Sequence, residues 1–186
     1  MYWWTRCDMG KYLWPMMTPV TRVIVEPEEM LDPNFNLDGI RYVSDDEDED
    51  GRLLPDFGSY KTFAFFMSRR AVEVFGDIAR ASGRLIETTW DGLPYHLTVI
   101  HRELDLFDYE RSEFDRWGLY DDLKRDVWEI QRVVIRTPPP DCPDIFRLKG
   151  NKSVHFNIIV SDRFKRLYEE GGFTGLFFRR ALLPLN

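Results

Sequence analysis

Six adjacent carboxylates, Asp45, Asp46, Glu47, Asp48, Glu49 and Asp50, stand directly before Gly51. Asp46, Asp48 and Asp50 place oxygen ligands on alternate residues ahead of a glycine turn, which is how a calcium loop opens. Such a loop closes with a bidentate Glu at its twelfth position. Counted from Asp46, that position is Phe57. The closing ligand is therefore missing, and no helical pattern flanks the run. We read residues 45–50 as a solvated loop or hairpin tip in which like charges repel. Clustered carboxylates also raise the encounter rate with a basic protein, so these six residues are the candidate partner-binding site. A calcium-responsive interaction module is the alternative reading of the same residues.

The other groups with chemical potential are three histidines, His96, His101 and His155, and two cysteines, Cys7 and Cys142. His96 and His101 are five residues apart on a predicted strand, so they point to opposite faces and do not share a metal. His155 alternates with Phe156 on a predicted strand, as a core or edge histidine does. Cys142 and His155 form a conceivable thiol–imidazole pair, and a small hydrolase built on them is the enzymatic alternative. The neighbouring Asp141 argues against it, because a carboxylate raises a thiol pKa and lowers the thiolate fraction. No phosphate-binding loop, dinucleotide turn or nucleophile elbow occurs. The expectation is a protein with no catalytic residues, no metal and no cofactor.

The elements that must position these groups belong to a chain of 186 residues, enough for one domain. Its formal charge is −7 and its pI about 5.1. That balance opposes nucleic-acid binding, which needs a basic stripe to displace counterions from phosphate, and opposes adhesion to an anionic membrane. Fourteen Phe, eight Tyr and six Trp supply large rings for a core, with some to spare for a surface that meets a partner. Two cysteines make neither a disulfide framework nor a zinc quartet. The first residues are aromatic and lack a signal-peptide pattern, and no stretch reaches the ~20 apolar residues of a membrane span. A cytoplasmic location is expected.

Along the chain, residues 20–26 and 40–43 read as strands and the segment between them as a loop rich in Pro, Asn and Gly. Ser68 caps a predicted helix whose Ala71, Val72, Phe75, Ile78 and Ala79 recur at helical spacing. Gly83 is placed as its left-handed terminator, and Gly76 as a point of close helix packing. Residues 84–90 and 95–101 flank Asp91-Gly92, a tight-turn signal, and are expected to form a hairpin. Residues 105–120 are mixed, 127–136 a strand, and Pro138-Pro139-Pro140 an extended connection. Residues 142–150 are a short turn-bounded stretch. Residues 154–160 are a strand, Ser161 a cap, 162–170 a helix and 175–180 a closing strand. Residues 65–70 and 158–163 echo each other as apolar run, Ser and helix. We attribute the echo to a shared capping device rather than to duplication, because Ser caps and Gly stops are general. The fold class is α+β: one domain over 1–186, with a mostly antiparallel or mixed sheet and two or three helices packed on it.

Four segments carry a family resemblance. They are Leu104–Glu113 (LDLFDYERSE), Asp144–Leu148 (DIFRL), Val160–Phe164 (VSDRF) and Thr174–Phe178 (TGLFF), with Leu54-Pro55-Asp56 and the Ser68 helix upstream. In this order and spacing they resemble a family of bacterial immunity proteins from polymorphic toxin systems, the type first described from a myxobacterial protein. The resemblance is good over about 100–184 and looser over 50–100. It leaves residues 1–50 as a variable part ahead of a 51–186 core. It implies a protein that neutralises a cognate toxin by binding it and has no activity of its own. It also implies structural roles for the motif residues: Gly175 for backbone conformation, Ser161 for capping, Phe146 and Leu176 for the core.

Overall fold

The computed structural model describes residues 1–7, 15–17, 32, 34, 41–44, 53–60, 64–119, 121–122, 126–150, 154 and 157–183. Among these residues the strands are β1 (Tyr2–Cys7), β2 (Pro15–Met17), β3 (Arg41–Ser44), β4 (Phe57–Tyr60), β5 (Ala64–Ser68), β6 (Gly83–Trp90), β7 (Leu93–Ile100), β8 (Glu103–Leu104), β9 (Glu113–Arg116), β10 (Val127–Arg132), β11 (Ile145–Leu148), β12 (Ile158–Ser161) and β13 (Leu176–Ala181). The helices are α1 (Arg69–Ser82) and α2 (Asp162–Glu170). The class is α+β, as expected. One sheet has the order β2-β3-β6-β7-β5-β4, a second β13-β1-β12-β11-β8, and β9 and β10 form a separate two-stranded ribbon.

Both helices form for the reasons legible in the chain. Ser68 and Ser161 have extended backbones, and each accepts a hydrogen bond from the third helical N–H, Ala71 and Phe164 respectively. Asp91 and Gly92 turn at φ 49° and 75°, closing the β6–β7 hairpin as its residues require.

Several expectations are corrected. Gly83 has φ 177°, ordinary extended backbone, so it is not a left-handed stop. A Cβ there would lie 1.9 Å from the Val99 carbonyl oxygen, so glycine is needed for space. The nearest atoms that a Cβ on Gly76 would meet belong to Arg80 and Val72 of its own helix. The strand expected over 154–160 occupies only Ile158–Ser161 among the described residues. The one expected over 127–136 breaks at Arg132, after two register shifts against β9. β1 and β11 were not anticipated as strands. The strand read over 20–26 lies outside the described residues.

The likeness of the two Ser-capped segments extends far beyond their caps. In the first, β4 pairs with β5, β5 with β7 and β7 with β6, all antiparallel. In the second, β11 pairs with β12, β12 with β1 and β1 with β13, also all antiparallel. The registers correspond: Ser68 lies opposite Tyr95 and Thr88 opposite Tyr95, as Ser161 lies opposite Tyr2 and Ala181 opposite Tyr2. Each unit is thus strand, strand, helix, strand, with a further strand slotted into the middle of the sheet. In the first unit that strand follows through the Asp91-Gly92 hairpin. In the second it comes from the other end of the chain, as β1. The second unit has the strand arrangement of the first in circularly permuted chain order.

The units close on one core. Phe57, Phe65, Met67, Ala71 and Phe75 of the first meet their counterparts Ile145, Ile158, Val160, Phe164 and Tyr168 of the second. The Phe75 and Phe164 rings, one from each helix, lie 4.5 Å apart between centroids. Each buried side chain of this size contributes roughly 1.5–3 kcal/mol through lost apolar contact with water. A second core covers the outer face of the β1–β12–β11 sheet with Trp4, Phe146, Leu148 and Ile159 packed under Phe107, Val127, Ile130 and Ile135.

Candidate functional site

The carboxylates Asp45, Asp46, Glu47, Asp48, Glu49 and Asp50 lie outside the described residues, as does His155. Cys142 is described. Burial pushes its thiol up from the ordinary value and Asp141 adds to the effect, against a smaller downward pull from the Tyr2 hydroxyl that donates to it. That direction opposes a thiolate nucleophile at neutral pH. His96 and His101 are both held below the usual imidazole value, chiefly by burial; Arg80 adds to this at His96, against Glu87, and Arg84 and Arg147 add to it at His101. Among the described residues no three His, Cys, Asp or Glu converge as metal ligands.

The motif residues prove to be joints of the fold. Asp56, immediately before β4, accepts from Ser68 Oγ at 2.8 Å and from Arg70 Nη2 at 2.6 Å, while the Ser68 N–H donates to its carbonyl at 2.8 Å. Asp144, immediately before β11, repeats the arrangement. It accepts from Ser161 Oγ and from Arg163 Nη1 (2.6 Å), and its carbonyl accepts from the Ser161 N–H at 2.9 Å. Each serine hydroxyl therefore accepts from its helix and donates to an aspartate that starts a neighbouring strand. The Asp56 clamp also reaches across the units. Thr174 donates to it through its N–H and Oγ1, both at 3.1 Å, and Arg70 donates to the Gly171 and Gly172 carbonyls. Gly175 follows with φ 102°, where a Cβ would meet the Phe57 carbonyl oxygen at 1.9 Å. Phe146 and Leu176 are buried. Asp56, Asp144, Ser161, Gly175, Phe146 and Leu176 are therefore used inside the fold.

Exposed apolar groups cluster on the β9–β10 ribbon. Asp126, fully buried, accepts from Arg116 Nε at 2.7 Å and from the Leu119 N–H at 3.0 Å, and its carbonyl takes the Trp117 N–H at 3.0 Å. These bonds hold the end of β9 and residues 117–119 against the start of β10. They present Trp117 and Trp128 side by side, ring centroids 3.7 Å apart, each about half exposed at 48% and 50%. Leu119 beside them is 71% exposed. Further along the ribbon, an open concavity of about 490 Å³ is lined by Tyr109, Ser112, Phe114, Arg116 and Gln131 among others. Its rim is polar: Gln131 donates to Asp115 at 2.7 Å and Arg132 pairs with Glu113 at 2.6 Å. Paired, half-exposed tryptophans on a ribbon that also carries a polar concavity have the composition of a binding hot spot. Reading the sequence alone missed this patch, although Trp117, Leu119 and Trp128 interrupting a charged stretch were its signal.

Compared with models of known protein families and with curated proteins, the chain matches none. No helix among the described residues is long and apolar enough to cross a membrane.

Proposed function

We propose that this protein is an immunity protein, which neutralises a cognate bacterial toxin in the cytoplasm by binding it. The observation that carries the proposal is the exposed Trp117–Leu119–Trp128 patch on the β9–β10 ribbon. Leaving large rings in water forfeits roughly 25 cal/mol for each Å² of apolar surface, and a partner that covers the patch recovers that free energy. The resemblance of the four motif segments supplies the partner class, a toxin. The clustered carboxylates Asp45–Asp50 supply steering toward a basic one. In this reading the Asp56 and Asp144 clamps build the scaffold and the ribbon makes the contact.

The test is co-expression with the polypeptide encoded beside this gene. The two should co-purify, and the pair should protect cells that the partner alone poisons. Trp117→Ala and Trp128→Ala should each weaken the complex by at least tenfold, since truncating a hot-spot residue costs ~2 kcal/mol or more. Absence of any complex would overturn the proposal, and catalytic turnover lost on Cys142→Ala would replace it with the hydrolase alternative.

A further inference from the structure

The permuted repeat allows the outer faces of the two sheets to be compared position by position. In the first unit this face carries Leu97 and Val99, both buried, with Ile86 half-buried beside them. The registers place Trp4, Arg6 and Arg179 at the matching positions of the second unit. There the Arg6 guanidinium lies 4.4 Å from the centre of the Trp4 ring and the Arg179 guanidinium 5.9 Å from it. Arg179 is also 5.8 Å from the ring of Phe177, which is itself 37% exposed. Both arginines are exposed, on an acidic protein.

Two guanidiniums over one indole repel each other. Arg6 is lowered from its ordinary value first by burial and then by Arg179, with Glu129 acting the other way. Among the described residues neither arginine is held in an ion pair. Elsewhere in this chain arginines do pair: Arg70 with Asp56, Arg116 with Asp126, Arg163 with Asp144. Cation–π contact over an indole engages the face of a guanidinium rather than its N–H groups, and a guanidinium fork takes a carboxylate or phosphate through two parallel hydrogen bonds.

We infer that the outer face of β1 and β13, where Arg6 and Arg179 cover Trp4 beside Phe177, is a recognition site for a carboxylate-bearing segment of a protein partner. This rests on the reading that the chain acts by binding a polypeptide, and it adds a second contact away from the β9–β10 tryptophans. A polyphosphate would meet repulsion over the rest of a surface with net charge −7. A partner that is basic overall and carries one or two acidic side chains gains from both the general field and this pair. Phe177 offers the apolar contact that the stem of a Glu side chain covers.

The site is tested on the full chain by NMR of the arginine Nε–H groups, titrating with an N-acetylated, amidated peptide that carries two Glu among Gly and Lys residues, at low salt. Saturable shifts are expected at Arg6 and Arg179. Arg6→Ala and Arg179→Ala should each weaken binding about tenfold. Arg6→Lys and Arg179→Lys, which keep charge but lose the fork and the stacking, should weaken it by several-fold. Arg180→Ala, on the same strand but the opposite face, should leave it within twofold. Inorganic phosphate at equal charge should bind more weakly than the peptide. The inference is overturned if Arg6 and Arg179 do not respond, if Arg180→Ala weakens binding as much as Arg179→Ala, if the lysine variants bind as well as the parent, or if phosphate binds more tightly. Peptide binding without any complex with the neighbouring gene's product would keep this site and remove the immunity reading. A complex that depends on Trp117, with Arg6 and Arg179 silent toward the peptide, would remove this site alone.

Discussion

Replacing Asp56 by alanine should destabilise the protein more than the equivalent change at Asp144, and the difference can be worked from the two clamps. Asp56 leaves behind Ser68 Oγ and the Thr174 N–H, both part-buried donors to a carboxylate. Each such loss costs about 1.5 kcal/mol. Arg70 is 52% exposed, so its pairing adds no more than about 1 kcal/mol. The expected cost is about 3–4 kcal/mol. Asp144 leaves behind Ser161 Oγ and an Arg163 that is 61% exposed, with no strand from the other unit attached. Its expected cost is about 2 kcal/mol. Urea unfolding of both variants with unchanged slopes measures the difference directly. Equal costs, or Asp144→Ala costing more, would refute the claim that Thr174 makes the first clamp the stronger. The same clamp has a pH signature. Burial alone would raise the Asp56 carboxyl, but hydrogen bonds from Arg70, Ser68 and Thr174 outweigh it and hold it below the ordinary value. The native state then binds fewer protons than the unfolded chain. Its contribution is complete above the unfolded value, about 3.9, and is lost as pH falls through the folded one. Asp56→Ala should flatten that part of the acid unfolding curve.

The two depressed histidines act in a higher window. His96 Nδ1 and His101 Nε2 are buried without a hydrogen-bond partner, so protonation on unfolding is favoured. Stability should be complete above about pH 6.5 and should decline as pH falls below it, and His101→Asn should reduce that slope in denaturant titrations. Gly175→Ala combines a left-handed φ with a clash against the Phe57 carbonyl. It should cost at least about 2 kcal/mol in the same assay, and a neutral result would contradict the close approach of the two units. Tyr2 pairs with Ala181 as Thr88 pairs with Tyr95. A circular permutant that links Leu183 to Met1 and opens between Asp91 and Gly92 should therefore fold with an unchanged circular dichroism spectrum; collapse of that spectrum would count against the repeat.

Helix α1, helix α2 and the β6–β7 hairpin were legible because their determinants are local. A Ser hydroxyl meets an N–H three residues on, apolar residues recur at the helical period, and Asp-Gly adopts positive φ within its own turn. The α+β class follows from these elements together. The Ser161 cap was likewise readable from its own segment, whereas the roles of Gly175, Phe146 and Leu176 came with the family resemblance and are borne out by a positive φ and by burial. The acidic stretch 45–50 was chosen on charge alone, and charge alone does not place a loop.

What the chain by itself determined was therefore the inventory of local units, including the two Ser-capped echoes. Tertiary structure decided which of them share one arrangement and what they expose. β1 reads as an unremarkable aromatic start, and its role as the middle strand between β12 and β13 depends on partners near the opposite end of the chain. Asp56 and Asp144 look like two among many carboxylates until each meets a serine on the neighbouring strand. Trp117 meets Trp128, and Arg6 meets Arg179, only once strands have paired. The physical reason is that strand pairing joins residues distant in sequence through backbone hydrogen bonds common to every residue type. Register and neighbour are therefore set by how the whole core packs rather than by any local signal.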